Sequence, residues 1–281
     1  MPEVTRAPDR RVLLPHFRRV DPVMAALVTA AGPYRLRAEA GASPFRHLAQ
    51  AIASQQISGR AADAILARFV ALYAGRDGGG DSRGSAAHGV AFPTPEQVRD
   101  TAPEALRSVG FSAAKAAALR DLAAHTISGV VPEAATLETL EDEAIVARLT
   151  QVRGIGRWTV QMMLIFQLGR PDVLPVDDYG VRNGFRLAYG LADLPTPRAL
   201  AEHGACWAPY RSAAAWYLWR AVDLARAGAP MPVRGPRRPS GQAVSPRARA
   251  ASSSAPRPRP GARTPTRRRP APRPRAPKSK R

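Results

Sequence analysis

The sequence predicts an all-α protein, and three observations predict it. Apolar residues recur at helical spacing along most of the first 234 residues, and no stretch alternates apolar with polar residues as a half-buried strand would. Pairs such as Asp21-Pro22, Ser43-Pro44 and Thr94-Pro95 mark helix starts, a capping side chain followed by a proline at the first helical position. The composition then breaks near Arg234, after which apolar periodicity stops and proline becomes abundant. The expected architecture is about ten short helices followed by a tail that cannot bury enough surface to fold alone.

Residues 1–20 are basic and interrupted by proline, and read as an irregular lead-in. The globular domain is expected over 21–234. Asp21 caps a first helix whose apolar stripe is Val23, Met24, Leu27 and Val28. Ser43-Pro44 opens a second, with Phe45, Leu48 and Ile52 on one face. The Ser54–Ser58 segment interrupts it, and Ser58 caps the next helix, to about Tyr73. Residues 75–91 are a Gly-rich flexible loop in which His88 has no evident role. Helices follow from Thr94 and from Ser112, and 137–149 is acidic outside and apolar inside. Asp178–Tyr189 and Tyr210–Ala227 close the domain.

The charge is uneven. Of 42 Lys and Arg, fifteen lie in 235–281, a stretch without Asp or Glu, so this tail carries most of the net charge of +20. A basic arm of this kind suits a polyanion such as nucleic acid; the plainer alternative is a solvated low-complexity tail. The single cysteine, Cys206, excludes a disulfide framework and a cysteine metal cluster within the chain. The N-terminus lacks the apolar core of a signal peptide, and no segment has the length of a membrane span. The expectation is a soluble intracellular protein.

The chain's most informative stretch is 149–179, LTQVRGIGRWTVQMMLIFQLGRPDVLPVDDY. Gly154 and Gly156 permit a tight turn between two apolar-periodic segments, over 149–168. Such a turn brings backbone N–H groups to the surface at a helix start, where orphan amides and the helix dipole favour a phosphate. A pair of acids, Asp177 and Asp178, then arrives at another helix start. Taken alone, the turn is equally compatible with a plain connection between helices.

The stretch as a whole resembles the helix-hairpin-helix DNA glycosylases, and within them the alkylation-repair branch, DNA-3-methyladenine glycosylase II. The matching pieces are Gly154-Ile155-Gly156-Arg157-Trp158-Thr159, Leu174-Pro175-Val176-Asp177-Asp178-Tyr179 and Trp207-Ala208-Pro209-Tyr210-Arg211-Ser212, within a similarity that covers roughly residues 40–227. The resemblance implies a two-lobed all-α core with a cleft between the lobes. It makes Asp178 the catalytic carboxylate, leaving the helix cap to Asp177. It assigns Trp158, Met162, Tyr179 and Tyr210 to the slot for a flipped base, with Met162 standing where the best-known bacterial branch carries an aromatic. It places Gln55 and Gln56 at the turn that wedges into the duplex, and Gly154, Gly156, Arg157 and Thr159 at the DNA backbone. Trp216 and Trp219, on the last helix, read as core packing.

The implied chemistry has a physical reason. Breaking an N-glycosidic bond builds positive charge on the sugar, which a fixed carboxylate stabilises, and the same group can orient or deprotonate water. A base must first leave the stack, and electron-poor methylated purines stack well on aromatic faces. In the resemblance, glycosylases with lyase activity carry a lysine where this sequence has Trp158. The first 234 residues hold one lysine, Lys115, and the tail holds Lys278 and Lys280. The reading is therefore a monofunctional enzyme that uses water.

No cofactor is implied beyond a monovalent cation at the hairpin, for which the main-chain carbonyls of Thr150, Val152 and Ile155 stand at the matching places. No side chain argues for that ion. The expected partner is damaged double-stranded DNA, met by a monomer in the nucleoid or, in a eukaryote, the nucleus. Two alternatives stay open at this point: the same fold acting on deaminated or oxidised bases, and a non-catalytic DNA-binding protein with a histone-like tail.

Overall fold

The computed structural model describes residues 9–39, 41–74 and 91–229. The regular elements among them are all helical. α1 (Arg10–Val20) and α2 (Pro22–Ala31) open the chain. α3 (Pro44–Ser54), α4 (Gly59–Ala71), α5 (Pro95–Asp100), α6 (Pro103–Ser108), α7 (Ala113–Ile127), α8 (Ala134–Thr139), α9 (Asp142–Leu149) and α10 (Arg157–Phe166) follow. α11 (Tyr179–Ala188), α12 (Pro197–Gly204), a 3-10 turn (Ala205–Trp207) and α13 (Arg211–Arg226) complete it. Among the described residues, no helix is long and apolar enough to cross a membrane.

The helix starts form where their caps predict. Ser43, Ser58, Thr94 and Ser112 each accept a hydrogen bond from the amide three residues on, and Thr94 completes a capping box with Gln97. Each such cap satisfies an amide the helix leaves unpaired and is worth about 1 kcal/mol.

Several expectations are corrected. The lead-in over 1–20 is not irregular throughout, because α1 occupies Arg10–Val20 with Asp9 as its cap and Pro15 inside it. Leu13 and Phe17, four residues apart and fully buried, anchor that helix strongly enough to tolerate the proline. The acidic segment 137–149 is two helices, α8 and α9, and α6 and α12 are short additions. The hairpin is the pair α9 and α10 with the turn between them, so it begins before residue 149. The Gly-rich loop, apart from Ala91, and the basic tail lie outside the described residues.

The helices enclose two cores. The first gathers apolar residues from Leu36 to Val173, on α3 to α10. The second joins Leu13, Phe17, Met24, Leu27 and Val28 of α1 and α2 to Leu174 and to the buried faces of α11 and α13. The chain passes from one lobe to the other between Val173 and Leu174, and Tyr34, Trp216 and Trp219 pack against both cores.

Buried Asp21 fastens the second lobe. Its Oδ1 caps α2 by accepting from the amides of Val23 and Met24, both at 3.1 Å. Its Oδ2 accepts from Trp207 Nε1 at 2.8 Å, lies 2.9 Å from His203 Nε2 and takes the Tyr189 hydroxyl. Burial alone would raise this carboxyl; the bonds from His203, Tyr189 and Trp207 outweigh it and hold the pKa at about 2.

α11 and α13 meet at backbone contact. A Cβ on Gly184 would sit 1.9 Å from the carbonyl oxygen of Leu218, so no side chain fits unless the helices part. Gly184→Ala is expected to destabilise the protein by about 1–3 kcal/mol, the usual cost of overpacking. A chemical denaturation midpoint equal to wild type would contradict this.

Candidate active site

The loop between the lobes delivers the two acids. The start of α13 pins it: Arg211 pairs its guanidinium with both oxygens of Asp172 at 2.8 Å. The Ser212 hydroxyl donates to the carbonyl of Arg170 at 2.6 Å and accepts from the amide of Val173 at 2.9 Å. These contacts give the Arg211-Ser212 pair a structural purpose: they set the path of the chain into Asp178.

Asp178 itself is the cap of α11, accepting from the Val181 amide at 2.7 Å through Oδ1. The expected division of labour is thus corrected, since Asp177 does not cap the helix and is exposed. Only the residue immediately before the first helical turn can reach back to the third amide, and that residue is Asp178. Two indoles complete its shell. Trp219 Nε1 donates to Oδ1 at 2.8 Å and Trp158 Nε1 donates to Oδ2 at 2.9 Å. The carboxylate is therefore held by three N–H groups from α10, α11 and α13, at the joint between the two lobes.

Trp219 has a role that sequence reasoning missed. It packs on both cores, but its indole N–H is spent on Asp178 and its ring stacks on Phe166 at 5.6 Å between centroids. A Cβ on Gly180 would fall 2.8 Å from the Trp219 ring and 3.1 Å from Asp178 Oδ1. The Gly180–Gly184 spacing on α11, one helical turn, was the available signal that another helix packs closely there.

Beside this carboxylate lies a cavity of about 340 Å³ between α3 and α10. Its walls are His47, Ala51, Ser54, Gln55 and Gln56 on one side and Trp158, Thr159 and Met162 on the other. Trp158, at once wall and donor to Asp178, links cavity and acid. The structure thus brings together the predicted Trp158, Met162, Gln55 and Gln56. Tyr179 begins α11 next to Asp178 and is 67% exposed. Tyr210 is a correction: it is not part of the cavity wall, because its ring meets His16 of α1 edge-on at 5.0 Å and packs on the second core. Thr159 is a second correction. Expected at the DNA backbone, it is 5% exposed and forms part of the cavity wall, since the first turn of α10 rotates it inward.

The wedge turn is built with some strain. Gln56 has φ of 60°, a left-handed conformation that costs a non-glycine residue about 1–2 kcal/mol. Two contacts hold it there. Gln55 Nε2 donates to the carbonyl of Gly154 at 2.9 Å, joining the turn to the hairpin. Lys115 Nζ donates to the carbonyls of Ala53 and Gln55, both at 2.7 Å. The one lysine among the described residues is distant in sequence but serves as the cap of α3.

At the hairpin, Gly154 takes φ of 78°, which only a residue without Cβ adopts freely. The Arg153 amide is used by Asp121 at 2.7 Å. α10 starts at Gly156 without a side-chain cap, so its first amides face outward with the helix dipole behind them. Arg157 pairs with Glu143 through two bonds of 2.8 and 2.6 Å. An exposed pair of this kind is worth about 1 kcal/mol or less, so the guanidinium can exchange the carboxylate for a phosphate.

Two helical lobes, a glycine-turned hairpin and a carboxylate at the joint are the parts of a class, the helix-hairpin-helix DNA glycosylases. The comparisons agree. The family model for the HhH-GPD superfamily of base excision DNA repair proteins matches residues 49–209. The chain belongs to that family. It is 41% identical over 211 residues to DNA-3-methyladenine glycosylase 1 of Schizosaccharomyces pombe, covering 75% of this chain and 86% of the relative. The solved structure of the S. pombe 3-methyladenine DNA glycosylase Mag1 in complex with abasic DNA superposes with a TM-score of 0.64, over 76% of this chain and 97% of that one, at 41% identity. A DNA-3-methyladenine glycosidase from Bacillus halodurans gives a TM-score of 0.65 at 32% identity, covering 77% and 91%.

Proposed function

We propose that this chain is a monofunctional glycosylase that removes N-alkylated purines, 3-methyladenine and 7-methylguanine, from duplex DNA and leaves an abasic site. The observation that carries the reading is Asp178, held by the Val181 amide and the Trp158 and Trp219 indoles beside a cavity that Trp158 also walls. The names of its relatives point to 3-methyladenine.

The parts then act in sequence. The outward amides of α10 and Arg157 take the backbone phosphates, and Gln56 fills the gap as the base turns out. The purine enters the cavity between Ala51 and the Trp158 and Met162 side chains. Cleavage of the C1′–N bond passes the bonding pair to the base and leaves positive charge on the sugar. The Asp178 carboxylate stabilises that charge, orients the water that adds to C1′ and takes the proton the water gives up, passing it to solvent. An alkylated purine already carries a positive charge, so it departs neutral and needs no proton.

No resident cofactor enters these steps. The hairpin carbonyls of Thr150, Val152 and Ile155 remain our proposed hold for a monovalent cation. The Val152 carbonyl already accepts the Ile155 amide at 3.1 Å, and a carbonyl's second lone pair leaves it able to ligate. The protein acts as a monomer on nucleoid or nuclear DNA.

The one lysine among the described residues supports hydrolysis rather than lyase chemistry. The position next to the hairpin arginine is Trp158, and the Lys115 ammonium is committed to two carbonyls. A duplex bearing one 7-methylguanine should stay unnicked after incubation and break at that site only after hot alkali. Nicking without alkali, or trapping of the chain on DNA by borohydride, would contradict the monofunctional reading.

A further inference from the structure

His47 lies outside every motif that marks this family in the sequence, yet it is part of the cavity wall. His47, Ala51 and Ser54 follow one another at four and three residues and share one face of α3. Ser54 and Gln56 are exposed, so the wall reaches solvent at the wedge turn, while His47 is half-buried. His47 sits about 10 Å further along the helix axis, at the inner end. The other polar side chain of α3 on this wall, Ser54, donates to the carbonyl of Gln50 at 2.8 Å, and Gln55, just beyond the helix, donates to Gly154.

We propose that His47 is a specificity-determining residue: its imidazole forms the α3 end of the cavity wall, offers a ring nitrogen to the edge of the flipped purine, and admits a base that carries positive charge. The inference rests on the glycosylase reading of this cavity.

The charges around it are few. Among the described residues, the walls contributed by α3 and α10 bear no ionisable side chain besides His47 itself. Glu39, placed by its amide bond to the Phe166 carbonyl at 3.0 Å, pulls the imidazole towards protonation. Lys115 is held on the Ala53 and Gln55 carbonyls, and Asp178 stands behind the Trp158 indole. Burial opposes the pull of Glu39 and lowers the pKa below the usual histidine value, so the ring is neutral at physiological pH. A cation meeting a second fixed cation in a cavity poor in water is repelled strongly, which is why the charge state of this wall bears on substrate choice.

The test compares wild type with His47→Lys and His47→Gln. It reads single-turnover release from a duplex with one 7-methylguanine, affinity for a duplex with an abasic analogue, and melting temperature. The lysine variant should release the base about 100-fold more slowly or worse, while the glutamine variant stays within about threefold. Both should bind the abasic duplex as wild type does, because no base then fills the cavity. Wild-type release by the lysine variant, or an equal loss in the glutamine variant, would overturn the assignment.

Should the lysine variant fail to fold, wild type and His47→Gln are compared from pH 8 to pH 5. Wild type should lose release on the acid side beyond what the glutamine variant loses, and coincident profiles would overturn the assignment. A wild-type protein that releases no methylated base at any pH contradicts the glycosylase reading itself, a result distinct from either of these.

Discussion

Asp178→Asn should abolish most base release while leaving the fold and the grip on DNA intact. A carboxylate about 4 Å from the developing charge on the sugar contributes about 4 kcal/mol at an effective dielectric of about 20. Losing that charge corresponds to about a 10³-fold lower single-turnover rate. Asparagine remains a good helix cap, so its oxygen can still accept from the Val181 amide and Trp219, and α11 should persist. Its amide nitrogen then faces the Trp158 N–H donor, and that 2.9 Å bond is lost. Melting temperature and affinity for an abasic duplex should change little beside the drop in rate. A rate within tenfold of wild type would remove Asp178 from the chemistry.

Trp219→Phe is the second large effect. The ring volume and the stack on Phe166 are largely kept, and the N–H to Asp178 Oδ1 is deleted. A hydrogen bond to a charged group is worth about 1.5–3 kcal/mol. If most of it holds the carboxylate in its working orientation, release slows by about 10- to 100-fold. Trp219 touches Asp178, so the loss should appear in the single-turnover rate with little change in DNA affinity. A parallel loss of thermal stability with an unchanged rate would mean that Trp219 is packing alone. Gly180→Ala gives the same answer from the opposite side, since its Cβ would press on both Trp219 and Asp178.

Much of this organisation was legible in residues. Ser43, Ser58, Thr94 and Ser112 announce helices because a cap is a local device, complete within four residues. The turn at Gly154 and the arrival of two acids at a helix start were legible for the same reason, although the cap falls to Asp178 and not to Asp177. What failed is what depends on partners distant in sequence. α1 is held by Leu13 and Phe17 reaching into a core made mostly by α2, α11 and α13, so its basic surface and Pro15 mislead. Trp219 looks like any aromatic on an Ala-rich helix until α11 is laid against it. Tyr210 carries the right neighbours in sequence, yet its ring is turned to His16 by the course of the loop. His47 has no motif at all; only the packing of α3 on α10 brings it to the cavity.

The most direct test of the account is chromatography of what the wild-type protein frees from methylated duplex DNA. The account predicts intact 3-methyladenine and 7-methylguanine, with one abasic site formed for each base released. Tight binding to the same DNA with no free base would contradict it.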